Sequence, residues 1–178
     1  MAIRDAAAIE SVVARAAAGD ETAFARLVSE HHPSMARVAY AITGEAESAA
    51  DAVQIAWTTA WRRLRTLRDT TTVRAWLVAI AANEARQILR RQRKRTIVDL
   101  STVAELAGGS DPGDRILVAD LARALRSLDP DERSILALRF AAGLDSTQIA
   151  EQLGISASGV RSRLSRLIER LRLDLDHA

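Results

Sequence analysis

The chain has no cysteine, only three prolines and only 3% aromatic residues. Without a thiol it can build neither a disulfide framework nor a thiolate metal centre. No apolar run approaches the twenty or so residues that a membrane helix needs, and the first residues lack the apolar stretch of an export signal. A cytoplasmic protein with no membrane insertion is therefore expected. No strand-like alternation of useful length appears either, while the abundance of Ala, Leu and Arg favours helices. Phosphate loops, hydrolytic constellations and metal-ligand spacings are missing as well. The sequence thus points away from an enzyme: no catalytic residue, metal, cofactor or small-molecule substrate is expected. His31 and His32 are adjacent, so on a helix they point about 100° apart and do not readily chelate one ion. A helix-end role before Pro33 suits them better, and His177 lies in the tail.

What is present is a charge pattern that the net value of +2 conceals. Residues 1–95 carry 15 basic and 10 acidic groups, residues 96–114 carry no basic and 4 acidic groups, and residues 115–178 carry 10 and 9. The pattern predicts an all-α protein of two small helical domains, 1–95 and 114–178, joined by an acidic flexible linker over 96–113. Within that linker, Gly108-Gly109-Ser110-Asp111-Pro112-Gly113 cannot continue a helix, although a short amphipathic turn over Val103 to Leu106 is compatible with the sequence.

The N-terminal segment divides into helices at Gly19-Asp20, at Pro33 and at Thr43-Gly44. From Glu45 to about Leu67, Ala49, Val53, Ala56, Trp57, Ala60, Trp61 and Leu64 recur at three- and four-residue spacing, an apolar stripe that places both tryptophans in a core. Leu67 to Thr72 breaks the pattern and reads as an exposed loop. A second long helix starts at Val73, with Trp76, Leu77, Ile80, Ala81, Ile88 and Leu89 facing inward. It ends with Arg86, Arg90, Arg91, Arg93, Lys94 and Arg95 within ten positions. Cations beside a helix C-terminus account for one or two of these. Six basic groups so close together repel one another unless an anion is near, and the phosphate backbone of nucleic acid supplies one.

The C-terminal segment ends in GLDSTQIAEQLGISASGVRSRLSRLIERLR, residues 143–172. Asp145 can cap a first helix with Gln148 at its third position, Gly154 permits a tight turn, and Ser156 can cap a second helix. Ile149, Ala150, Leu153, Ile155, Val160 and Leu164 would lock the two helices together as a helix-turn-helix. Ser156, Ser158, Arg161, Ser162, Arg163, Ser165 and Arg166 are then the candidates to read DNA. Arginine pairs bidentately with a guanine edge or a phosphate, and serine bonds to either. An arginine face can also be a merely solvated surface; the caps and the glycine turn at consistent offsets favour DNA. Upstream, Asp129-Pro130-Asp131-Glu132 is a strong helix start. Ile135, Leu136, Leu138 and Phe140, with Leu117, Leu121, Leu125 and Leu128, form the small core under the motif, and the remaining paired carboxylates read as caps or solvated charges.

These residues give the chain a resemblance to the extracytoplasmic-function sigma factors, two-domain specificity subunits of bacterial RNA polymerase. GDETAFARLVSEHHPSMARVAYAITG resembles the family's opening helices and DAVQIAWTTAW its polymerase-binding helix. VRAWLVAIAANEARQILRRQRKR resembles its promoter-melting helix, and LDPDERSILALRFAAGLDSTQIAEQLGISASGVRSRL its C-terminal domain. The resemblance implies a sigma-2 bundle that binds the beta-prime subunit of core polymerase and captures an unpaired minus-10 base, and a sigma-4 domain that reads the minus-35 element. Contact with the beta subunit and control by an anti-sigma factor are implied with it. By position, Asp51 and Gln54 match polymerase-facing residues, with Arg62 assisting. Asn83 matches an asparagine of the melting helix, and Arg65, Arg68, Asp69, Thr70, Thr71 and Thr72 match the loop that cradles the flipped base. Extracting a base costs a few kcal/mol, which hydrogen bonds in such a loop must recover. Along with Asn83, the implied minus-10 surface takes in Arg86, Arg90, Arg91, Arg93 and Lys94. Ile55 and Gly159 depart from the family pattern, which more often has glutamate and threonine there. Outside the resemblance, a stand-alone helix-turn-helix regulator and an all-helical sequestering protein are the other classes compatible with the composition.

Overall fold

The computed structural model describes residues 11–95, 123–125 and 127–176. The linker expected over 96–113, with its turn at Val103 to Leu106, lies outside the described residues, as do Leu117, Leu121 and His177. After helical residues 11–17, three long helices form the N-terminal layer: α1 (Glu21–Thr43), α2 (Ala46–Arg63) and α3 (Val73–Arg95). The C-terminal layer comprises α4 (Pro130–Leu136), which continues into a π-helical turn over Ala137–Ala141, then α5 (Ser146–Leu153) and α6 (Ala157–Asp176).

Local chemistry sets most of the boundaries. Gly19, at φ 98°, ends the first segment, and the Asp20 carboxylate accepts the Ala23 amide at 2.9 Å to open α1. Gly44 closes α1 in the left-handed region, where a Cβ would be strained. Pro33 does not divide the chain as its residue type suggests; it lies inside α1, exposed. Its missing N–H frees a carbonyl on the wet side, while Leu27, His31, Met35 and Val38 are buried along the other side. That packing outweighs the local penalty. His31 is consequently a core residue 5% exposed, not a helix-end residue.

Ala49, Val53, Ala56 and Ala60 form the buried stripe of α2, which Leu64 continues just past its end, and Leu77, Val78, Ala81, Ala82 and Ala85 form that of α3. Alanine dominates both, so the helices approach closely. Trp57 is half-buried and Trp61 is exposed, which corrects the expectation that both fill the core. Phe24 presents its face or edge to each, with ring centroids 5.6 Å from Trp57 and 4.8 Å from Trp61 in T-shaped geometry. The stripe has room for alanine, and the large rings are pushed to its margin.

Phe140 requires a second correction. Ile135, Leu136 and Leu138 are buried as expected, but Phe140 is 65% exposed. The π turn inserts one extra residue per turn after Leu136, and the Ala142 amide reaches back to the Ala137 carbonyl at 3.0 Å. An α-helical projection therefore misplaces the residues that follow. The apolar cores of the two layers merge into one cluster that runs from Leu27 and Val38 through Ala81 to Ile135, Leu138 and Ile149.

Candidate nucleic-acid interface

The helix-turn-helix forms as the sequence predicts. The Asp145 carboxylate accepts the amides of Thr147 (2.8 Å) and Gln148 (2.9 Å), and the Gln148 side chain accepts the Asp145 amide at 3.0 Å. Gly154 turns the chain at φ 66°. Ser156 Oγ then accepts the Gly159 amide at 3.0 Å to open α6. A Cβ at Gly159 would sit 3.0 Å from that same oxygen, so a side chain there requires the hydroxyl to shift by a few tenths of an ångström. Ile149, Ala150, Val160, Leu164 and Leu167 are buried between the helices and their support.

Arg161, Ser162, Arg163, Ser165 and Arg166 are all exposed on α6, as are Ser156 and Ser158 at its start. The two serine hydroxyls lie 3.2 Å apart, and Ser156 is committed to the cap, so it meets an anion through the amides of the first turn rather than with a free hydroxyl. Arg166 Nε donates to the Ser162 carbonyl at 3.3 Å, which holds its stem along the helix with the rest of the guanidinium outward. Arg170, one turn further on, donates to Glu132 at 2.6 Å and ties α6 to α4. Burial opposes ionisation of Glu132, but the Arg170 guanidinium and the Asp129 amide outweigh it and hold the carboxyl below its usual value.

The second basic surface is on α3 and the loop before it. Asp69 caps the 3₁₀ turn Thr70–Thr72; its carboxylate accepts the Thr71 hydroxyl at 2.6 Å and the Thr71 amide at 2.9 Å. These bonds hold the Asp69 pKa below the ordinary value. Thr72 donates its hydroxyl to the Asp69 carbonyl at 2.8 Å. The expected loop is thus a hydrogen-bonded polar turn with Arg65 and Arg68 exposed beside it. Asn83 is exposed on α3, and its Oδ1 accepts from Arg86 at 3.1 Å. Arg86 also reaches Asp131 at 3.1 Å, and Arg90 meets both oxygens of Asp131 at 2.9 and 2.8 Å. Arg91 is exposed and contacts Gln87 at 3.4 Å; the side chains of Arg93 and Lys94 lie outside the described ones.

Asp51, Gln54, Ile55 and Arg62 are exposed on α2. Asp51 and Arg62 stand eleven positions, close to three full turns, apart, so they share a face along about 16 Å of helix. Ala52 and Ala56 on the opposite side are fully buried. Ile55, 40% exposed, puts an apolar side chain on the surface where the resemblance leads one to expect a carboxylate.

Sequence reasoning missed four participants. Asp131 is not a solvated charge but the partner of two arginines, and Arg170 is an anchor of α6. Arg74 and Arg133 bond backbone carbonyls across the two layers. Local sequence carries no signal for these pairs, since each links positions 38 or more apart. Among the described residues there is no group of three potential metal-ligating side chains, and no helix is long and apolar enough to cross a membrane.

Comparison with known proteins agrees with this geometry. The family model for Sigma-70 region 2 matches residues 27–95, and that for Sigma-70, region 4 matches residues 119–171. The chain is 33% identical over 170 residues to the ECF RNA polymerase sigma factor SigL of Mycobacterium tuberculosis, covering 92% of this chain and 94% of SigL. It is also 33% identical to the probable RNA polymerase sigma factor RfaY of Xanthomonas campestris pv. campestris, covering 90% of this chain but 42% of that longer protein. The solved structure of CnrH, from Cupriavidus metallidurans, in complex with the cytosolic domain of CnrY superposes with a TM-score of 0.72 at 27% identity. That match covers 96% of this chain and 98% of CnrH.

Proposed function

Because the chain belongs to the ECF sigma factors of RNA polymerase, we propose that it directs promoter-specific initiation by holding two promoter elements at once, one in each helical layer. Residues 1–95 act as the polymerase-binding and minus-10 domain, 96–113 as the tether and 114–178 as the minus-35 domain. The observation that carries the reading is α6: a capped, glycine-turned second helix whose exposed face is Arg161, Ser162, Arg163, Ser165 and Arg166. Such a face enters the major groove, where arginine reads guanine and serine bonds base edges or phosphates.

In the N-terminal layer, the polar turn of Asp69, Thr70, Thr71 and Thr72 receives a base extracted from the minus-10 element. Asn83, Arg86, Arg90 and Arg91 hold the backbone beside it, with Arg65 and Arg68 at the rim. Preorganisation of the turn by its own hydrogen bonds lowers the ordering cost of capture. Core polymerase docks on α2 through Asp51, Gln54 and Arg62, with Ile55 adding an apolar contact. The likeness to CnrH, solved with the cytosolic domain of CnrY, supports control by an inhibitory protein of the anti-sigma class. Linking two modest DNA sites raises overall avidity through effective concentration.

The test is run-off transcription with core polymerase free of any other sigma factor, on a library of promoter fragments. Protein-dependent initiation at a shared two-element promoter is the expected result. DNA binding without core-dependent initiation would instead indicate a stand-alone regulator.

A further inference from the structure

Beside the shared apolar core, arginine joins the two layers at three points. Arg133 of α4, 6% exposed despite its charge, donates to the Ile42 carbonyl in the last turn of α1 at 2.8 Å. In return, Arg74 at the start of α3 donates to the Ala142 carbonyl, just after the π turn, at 2.5 Å. Each layer therefore sets a cation on the carbonyl end of a helix in the other, where the dipole favours it. A third junction is ionic. Asp131 receives Arg86 and Arg90 from α3, while the neighbouring Glu132 receives Arg170 from α6 within the C-terminal layer itself. Arg163 and Arg166 line the other wall of the groove that holds these carboxylates.

We propose that Asp131 stands in for a promoter phosphate in the free chain, latching it closed with Arg86 and Arg90 of the minus-10 surface already occupied. The proposal rests on the assignment of α3 to DNA made above. Carboxylate and phosphate oxygens offer guanidinium the same paired acceptors, so one displaces the other on the same arginines. Here the short start of α4 takes the place of a nucleic-acid backbone against the basic surface of α3. The Asp131 side chain keeps 49% of its surface exposed, so water and salt reach the bridge and make it reversible.

Geometry also requires the latch to release. Elements centred at minus-10 and minus-35 lie about 25 base pairs, hence about 85 Å, apart along a duplex. A compact chain of this length has a radius of gyration of about 16 Å and measures about 40 Å across. The closed form therefore cannot touch both elements. Residues 96–113, fully extended, reach at most about 60 Å, enough to make up the difference once the layers part. Opening and DNA engagement are thus coupled through the same arginines. Free protein is held from indiscriminate binding through α3, and an event that separates the layers makes Arg86 and Arg90 available.

The absence of native cysteine makes the test direct. Ala46→Cys and Asp174→Cys, both exposed, are labelled with a donor and acceptor dye in the full chain, and energy transfer is followed alongside affinity for a short duplex of unrelated sequence at low salt. Asp131→Asn, which removes the charge but spares the Asp129 cap, is expected to lower transfer and tighten DNA binding by about fivefold. Glu47→Gln, which removes an exposed carboxylate elsewhere, should change neither, and unchanged helicity by circular dichroism verifies that Asp131→Asn folds. Transfer and affinity that both stay at their starting values would overturn the latch, even if run-off transcription upholds the promoter reading. Lower transfer with no gain in affinity would show a bridge between layers and overturn its role as a phosphate substitute. If run-off transcription gives no core-dependent initiation while transfer still falls, the sigma assignment is lost and the intramolecular bridge stands.

Discussion

Replacing Gly159 should have an effect whose size depends on Ser156. Glycine inside a helix costs about 1 kcal/mol relative to alanine, so Gly159→Ala would ordinarily stabilise α6 by about that amount. The added Cβ, however, would lie 3.0 Å from Ser156 Oγ, which is accepting the amide of residue 159 itself. Contact that close makes the hydroxyl give way by a few tenths of an ångström and weakens the cap, whose complete loss costs about 1 kcal/mol, within a range of about 0.5–2. The two terms oppose each other, so Gly159→Ala alone is expected to stabilise by clearly less than about 1 kcal/mol. In a Ser156→Ala background the cap is already gone, and the same substitution should recover the full helical gain of about 1 kcal/mol. A double-mutant cycle by urea denaturation, followed by circular dichroism, should therefore show a coupling of up to about 1 kcal/mol between positions 156 and 159. A gain of about 1 kcal/mol from Gly159→Ala in both backgrounds would refute the reasoning. Threonine at 159 adds branching beside the same oxygen and should be worse than alanine.

The arginines of α6 should separate by role. Arg166→Ala is expected to weaken promoter binding by about 1–3 kcal/mol and to alter the ranking of minus-35 variants in a competition assay, since its guanidinium points outward. Arg170→Ala should leave that ranking intact and cost no more than about 1 kcal/mol of stability, because its bridge to Glu132 is partly exposed. His31 makes stability depend on pH. Burial lowers its pKa below the ordinary 6.5, Arg74 lowers it further and Glu30 opposes this, while Nε2 has no hydrogen-bond partner. The unfolded chain then binds the proton more readily, so stability is fully present above about pH 6.5 and falls as the pH drops toward the folded pKa. His31→Met should flatten that part of the urea-midpoint profile; an equal decline in wild type and variant would remove His31 as the cause.

Much of the helix-turn-helix was legible because its determinants are local. Asp145 with Gln148, Asp129 with Glu132, and the glycines at 44 and 154 each act within four residues, and short-range chemistry fixes their geometry. Where the decisive term was tertiary, the same rules misled. Pro33 punctuates an isolated chain, but burial of Leu27, His31, Met35 and Val38 carries α1 through it. Phe140 follows an α-helical projection only if the helix keeps its pitch, and the π turn, which begins at Ala137, has already altered the register. Trp61 has the spacing of a core residue, yet a stripe built from Ala49, Ala56 and Ala60 leaves no volume for an indole.

Arginine marks the limit of local reading most clearly. Arg86, Arg133, Arg166 and Arg170 share a side chain and a helical setting, and composition allows each of them to be solvated, DNA-bound or structural. What separates them is an acceptor far along the chain: Asp131 for Arg86, the Ile42 carbonyl for Arg133, Glu132 for Arg170, and only its own helix for Arg166. An arginine density that points to phosphate is therefore equally satisfied by carboxylates of the same molecule. In this chain the two solutions compete for Arg86 and Arg90, because Asp131 occupies the atoms that a phosphate would take. Strength of DNA binding is then set by the difference between two similar ionic interactions. It should depend less steeply on salt than the count of arginines suggests, since salt weakens the internal bridge as well as the external one.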